Sequence, residues 1–166
     1  MRFVAIDFET ADKGADSACA LGAVLVEGSR IVETRYRLIR PPRPTIVFTY
    51  IHKIRWTDVA DEPDFAGVWP HFADLFDDID FIAAHNASFD RRVLHACCDA
   101  AAIPRPPAAF RCSVKMARGI LDIRPATLSN VCRRLRIPLD HHHALSDAEA
   151  CAKIVLAAQE AELRAA

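Results

Sequence analysis

The sequence predicts a mixed α/β fold, a sheet covered by helices, on three observations. Apolar, β-branched runs at residues 2–8, 18–26 and 31–39 follow one another too closely for helical crossovers, so they pair as an antiparallel meander. A further buried-strand run, FIAAH at 81–85, leads directly into a helical pattern. The chain then closes on a long Ala-rich helical stretch at 145–164. Strands first and alternating strands and helices later fit a mixed sheet better than an all-parallel, doubly wound one.

Each element has a local reason. RFVAIDF (2–8) has the length and composition of a buried strand. Glu27-Gly28-Ser29-Arg30 supplies a hairpin turn between the second and third runs. Pro41, Pro42 and Pro44 stop the sheet pattern and open a long irregular connection. A helix is expected within 64–77, started or kinked by Pro70. Over 87–102, Phe89, Val93, Leu94, Ala96 and Cys97 recur at about one helical turn, and Pro104, Pro106 and Pro107 end the pattern. A short strand near 110–112 and helices near 113–120 and 127–136 complete the chain.

A length of 166 residues predicts one domain, 1–166. A composition of 52% hydrophobic and 26% charged residues excludes disorder. No apolar run approaches the roughly 18 residues of a membrane span, and Asp7 arrives too early for a secretion leader. The expected location is cytoplasmic, with no membrane partner. Cys19, Cys97, Cys98, Cys112, Cys132 and Cys151 form no C-x-x-C pair and sit in apolar stretches, which predicts reduced, mostly buried thiols.

The net charge of -1 hides segregation. Residues 57–80 hold eight acids and no Lys or Arg, whereas residues 105–138 hold eight bases against Asp122 alone. Residues 30–55 carry seven bases against Glu33. Two basic segments in a neutral chain suit a polyanion; a solvated face in an Arg-preferring sequence accounts for them equally well.

Scattered acids and histidines carry the chemistry. Asp7 and Glu9 stand at i and i+2 of the first strand and therefore share a face. Unpaired carboxylates in an apolar strand are costly, and cations relieve that cost; a frayed, hydrated strand end relieves it too. Asp90, in His85-Asn86-Ala87-Ser88-Phe89-Asp90, suits either a site or the first-turn dipole of its helix. Asp147 lies in Ser146-Asp147-Ala148-Glu149, which has the form of a capping box opening the last helix. His141, His142 and His143 precede it in a loop.

Taken in order, D-x-E on a first strand, H-N-x-x-F-D on a strand-to-helix turn and H-x4-D before a late helix resemble the DEDDh exonucleases. This is the DnaQ-like family that contains the proofreading epsilon subunit of bacterial DNA polymerase III. The matching pieces span residues 5 to 151. The resemblance implies a ribonuclease H-like fold: a five-stranded mixed sheet, a three-stranded antiparallel meander plus parallel strands, flanked by helices. It implies that Asp7, Glu9, Asp90 and Asp147 hold two divalent cations, Mg²⁺ or Mn²⁺, and that His142 is the general base. The sister family with tyrosine in that role would need it at His143. Thr10, Ile51, His52 and Asn86 are the implied substrate contacts. Lys53 replaces the glycine usual in the Ile51–Ile54 loop, and Phe8, Phe48 and Tyr50 are candidate stacking partners.

The residue types match the chemistry. Phosphodiester hydrolysis places negative charge on attacking and leaving oxygens, and two cations about 3.5–4 Å apart stabilise both. Hard cations take oxygen donors, so the set is Asp and Glu. Histidine, with an ordinary pKa of about 6.5, accepts a proton near neutral pH. The expected activity is 3′–5′ removal of nucleoside 5′-monophosphates from single-stranded DNA. Alternatives are an exoribonuclease on the same site, a non-catalytic polymerase-associated binding module, and an endonuclease of the ribonuclease H type. A polymerase subunit and a homodimer are both open as assemblies.

Overall fold

A computed structural model describes residues 1–165. Five strands form one sheet in the order β3-β2-β1-β4-β5. β1 (Arg2–Thr10), β2 (Ala18–Glu27) and β3 (Arg30–Leu38) make the expected antiparallel meander. β4 (Phe81–Ala84) adds parallel to β1, and β5 (Phe110–Cys112) parallel to β4. Gly28, at φ +61, makes the left-handed turn between β2 and β3 that a side chain would strain.

β1 is central, so both of its faces are covered. Val4, Ile6 and Phe8 join Leu21, Ala23 and Leu25 under α4 (Ala87–Ala100) and the segment 65–76. Phe3 and Ala5 join Val24, Val26, Phe81 and Ala83 under α7 (Ala144–Ala165). By strand alternation, Asp7 and Glu9 continue the Phe3–Ala5 row toward α7. A third apolar cluster ties α7 to α5 (Ser113–Gly119) and α6 (Leu128–Leu135).

The connection after β3 is less irregular than expected. It contains two single helical turns, α1 (Thr49–His52) and α2 (Trp56–Val59). The single helix expected within 64–77 is absent: α3 (Phe65–Val68) gives way to 3₁₀ turns at Trp69–His71 and Ala73–Phe76. Pro70 sits in the first of these turns. Its missing N–H cannot continue the α-helical ladder, and the tighter turns stack Trp69 between Phe65 and Phe76. The cysteines are free thiols, all buried except the half-buried Cys112.

One glycine sets the approach of α7 to the sheet. Gly22 pairs with Asp7 across β1 and β2. A Cβ at Gly22 would lie 2.4 Å from the carbonyl carbon and oxygen of Ala144 and 2.5 Å from the nitrogen of Leu145, the first two residues of α7. Gly22→Ala therefore forces the start of α7 away from β1, the overpacking situation that costs about 1–3 kcal/mol. Urea denaturation should register that loss as a lower midpoint with an unchanged slope; a midpoint equal to wild type would show that the contact yields freely.

Candidate active site

The C-terminal end of β1 delivers Asp7 and Glu9 to a pocket of about 360 Å³, with Asp147 brought in from the first turn of α7. Carboxylate oxygens of Asp7, Glu9 and Asp147 all lie within 4.8 Å of one another. Asp90, in the first turn of α4, is buried beside them and its Oδ1 accepts the Phe8 backbone N–H at 3.1 Å. The fold thus gathers the four acids from three separated segments. No Lys or Arg lines this pocket among the described residues.

That arrangement is electrostatically unfavourable for the bare protein. Burial pushes the Asp7 carboxyl well above the usual carboxylate range, and Asp90, Asp147 and Glu9 push it further. Burial, then Asp147 and Asp90, raise Glu9 to about 8. Burial raises Asp90 to about 7, against the opposing Phe8 N–H, and raises Asp147 despite the nearby histidines. Four oxygen-donor groups held together against mutual repulsion, with no internal cation, are a donor set suited to hard divalent ions. Asp7, Glu9, Asp90 and Asp147 fit such ions by that chemistry.

Histidines close one side. His141 Nδ1 lies 3.0 Å from Asp147 Oδ2, and the His142 backbone N–H donates to that same oxygen at 3.1 Å. The two imidazoles stack at 3.8 Å, and both line the pocket. Burial and the neighbouring His141 lower the His142 pKa, keeping its ring neutral near pH 7. His143 turns away and stacks on Tyr36.

The expected capping box does not form. α7 begins at Ala144, so Ser146 lies inside the helix, and its hydroxyl accepts the Asp140 N–H at 2.8 Å. Ser146 and Asp147 instead pin the histidine loop from below. His142 has φ +68, the turn that separates its ring from the path of the helix.

Thr10, Ile51 and His52 line the pocket as expected, but His52 is fully engaged. Its Nδ1 accepts the Ile54 N–H at 3.1 Å, which leaves Nε2–H to donate to the Thr10 carbonyl at 3.2 Å. His52 thereby fastens the 51–54 loop to the end of β1. Lys53 adopts the left-handed conformation, φ +66, that a glycine would take there, and its Nζ donates to the Tyr50 carbonyl. Of the aromatic candidates, Phe48 lines the pocket, Phe8 does so from the core, and Tyr50 is 70% exposed. Asn86 lies outside the pocket, in an adjoining groove.

Sequence reasoning gave no role to His141, His85, Phe89 or Leu128, all of which line the pocket. His85 Nε2 lies 3.1 Å from the Ala126 carbonyl and its Nδ1 lies 2.8 Å from the Ser113 hydroxyl, so it bolts α5 to the β4–α4 turn. The H-N-x-x-F-D motif already contained His85 and Phe89; Leu128 arrives from α6 and has no local signal.

Residues 4–155 match the model of the RNase_T exonuclease family. The chain belongs to that family. This exonuclease chain is 33% identical over 143 residues to exodeoxyribonuclease 10 of Escherichia coli K12, covering 82% of itself and 59% of that protein. It is 30% identical over 158 residues to the PolC-type DNA polymerase III of Thermotoga maritima, covering 93% of itself and only 12% of that protein. Among solved structures, exonuclease X in complex with 5′-overhanging duplex DNA superposes with a TM-score of 0.76 at 28% identity, over 95% of this chain and 91% of that one. The nuclease domain of 3′hExo, a DEDDh family member bound to rAMP, shares the fold at a TM-score of 0.80 and 17% identity, over 96% of this chain and 92% of that one.

The raised carboxyl pKa values set a pH signature. Glu9 moves from its ordinary 4.5 to about 8, so the folded protein binds more protons than the unfolded chain across that window. Stability of the metal-free protein therefore falls as pH rises from 4.5 to 8. Divalent cations offset that loss, so the Tm difference between Mg²⁺ and EDTA samples should widen from pH 5 to pH 8. Equal differences at both pH values would contradict the carboxylate electrostatics.

Proposed function

We propose that the chain is a divalent-metal-dependent 3′–5′ exonuclease that hydrolyses single-stranded DNA from its 3′ end and releases nucleoside 5′-monophosphates. The observation that carries this reading is the convergence of Asp7, Glu9 and Asp147 on one pocket, with Asp90 buried beside them and no Lys or Arg lining the pocket among the described residues. DNA is favoured as substrate because the relatives with 28–33% identity include a DNA-bound exonuclease X and an exodeoxyribonuclease. The four acids would hold two Mg²⁺ or Mn²⁺ ions, which supply charge stabilisation for the attacking and leaving oxygens when bound.

The remaining roles belong to this chain's own side chains. Neutral His142 takes the proton from the attacking water. The water oxygen bonds to phosphorus and the P–O3′ bond breaks. The phosphate leaves with the terminal nucleotide, and the departing O3′ takes a proton from solvent to give the shortened strand its 3′-hydroxyl. Thr10, Ile51 and Phe48 wall the terminal nucleotide, while His52 positions the loop that bears Ile51. His141 orients Asp147. Polymerase association and a proofreading role are an extension of this reading, supported by the PolC-type relatives alone.

The test is digestion of matched DNA and RNA strands, labelled at either end, with Mg²⁺ or with EDTA. Mononucleotides should leave only the 3′ end, faster from DNA, and EDTA should abolish the release. Nicking of a closed circle, or no metal-dependent release, would sink the proposal. Asp7→Ala should leave no measurable turnover in a folded protein. His142→Ala should lose activity on the order of 10²–10⁴-fold, the usual worth of a general base. His141→Ala should lose less; the opposite ranking of the two variants would transfer the base role to His141.

A further inference from the structure

Beside the carboxylate pocket runs a second groove of about 540 Å³ whose charge is of one sign. Arg91 from α4, Arg111 from β5, and Lys115 and Arg118 from α5 line it, with no Asp or Glu. Several arginines elsewhere are held in ion pairs. Arg105 pairs with Asp99, Arg124 with Asp122, Arg43 with Asp12 and Asp16, and Arg35 with Glu33 and Asp74. Among the described residues, none of Arg91, Arg111, Lys115 or Arg118 is in an ion pair; Arg111 lies over the Phe81 ring, 4.2 Å from its centre.

The groove adjoins the site through consecutive residues. His85 lines the carboxylate pocket, and its neighbour Asn86 lines the groove. Asp90 joins the carboxylates, and its neighbour Arg91 lines the groove. A strand whose last phosphodiester lies among the acids thus meets four unpaired cations on leaving the pocket past Asn86.

Cys112 lies half-buried in the groove wall. Burial alone would raise its thiol pKa, yet the backbone N–H groups of Ala87, Lys115, Asn86 and Val114 outweigh burial and lower it. The other five thiols are all raised.

We propose that this groove is a track for the sugar-phosphate backbone of the strand internal to its 3′ end, with Arg91, Arg111, Lys115 and Arg118 neutralising successive phosphates. The proposal rests on the nuclease reading for the strand's orientation. Its test measures binding alone: anisotropy of a 5′-labelled single-stranded DNA on the full chain in EDTA, across a salt series. Each phosphate contact on a single strand contributes about 0.7 to the slope of log affinity against log salt. The double variant Lys115→Ala, Arg118→Ala should lower the slope by about 1.4 and weaken binding roughly tenfold at 0.1 M salt. Arg30→Ala, Arg37→Ala removes equal charge from β3, at the opposite edge of the sheet, and should leave the slope at its wild-type value.

A second readout follows Cys112. Its alkylation by iodoacetamide, mapped by mass spectrometry, should slow several-fold when the same DNA is added in EDTA. Equal slopes for the two double variants, or a Cys112 labelling rate indifferent to DNA, would overturn the track. Failure of the nuclease reading appears differently, as absence of Mg²⁺-dependent mononucleotide release with the binding results intact.

Discussion

Crowding of four carboxylates in a largely buried site, which desolvates them and sets them against one another, is the constraint around which this structure is organised. Burial raises the pKa of each of Asp7, Glu9, Asp90 and Asp147, neighbouring acids raise the first three further, and no Lys or Arg lines the pocket among the described residues. A fold tolerates such a cluster only where packing elsewhere holds the elements in place. Here the apolar clusters on both faces of β1 do so, with α7 clamped on one side and α4 on the other. Gly22 permits the clamp: by lacking a Cβ it lets the start of α7 touch the strand opposite Asp7, which brings Asp147 within reach.

The surrounding polar bonds immobilise the ligand-bearing segments without neutralising them. Phe8 N–H holds Asp90, the His142 N–H and His141 ring hold Asp147, and Ser146 restrains the loop above. The first three contacts each orient a carboxylate oxygen, and none of them brings the permanent charge of an Arg or Lys. Divalent cations held by these acids would relieve the unfavourable energy of the cluster, which would couple metal affinity to the geometry of three distant chain segments.

The sequence made the periodic parts legible. A strand repeats every two residues, so Asp7 and Glu9 had to share a face, and hairpin spacing required the antiparallel meander. Features that depend on tertiary contact were hidden. Pro70 announced a break in 64–77, but the division into 3₁₀ turns follows from stacking Trp69 between Phe65 and Phe76. Ser146 read as a helix cap because Asp140, its true partner, bonds through a loop conformation that no local pattern encodes. His141 gained its contact with Asp147 from that same loop. The glycine missing at Lys53 proved harmless to backbone shape, since Lys53 itself takes the left-handed turn and its amine caps the Tyr50 carbonyl. In the basic segment 105–138, Arg105 and Arg124 are in ion pairs while Arg111, Lys115 and Arg118 line one groove, a separation visible only in three dimensions.

The central claim is that folding gathers these acids to seat a pair of divalent ions. Its most direct measurement is a Mn²⁺ titration followed by electron paramagnetic resonance in the presence of a nucleoside 5′-monophosphate. Saturation at two Mn²⁺ per wild-type chain, falling in a folded Asp7→Asn variant, is the result this structure predicts. A wild-type chain that leaves Mn²⁺ free in solution, or an Asp7→Asn variant that binds both ions as before, would contradict it.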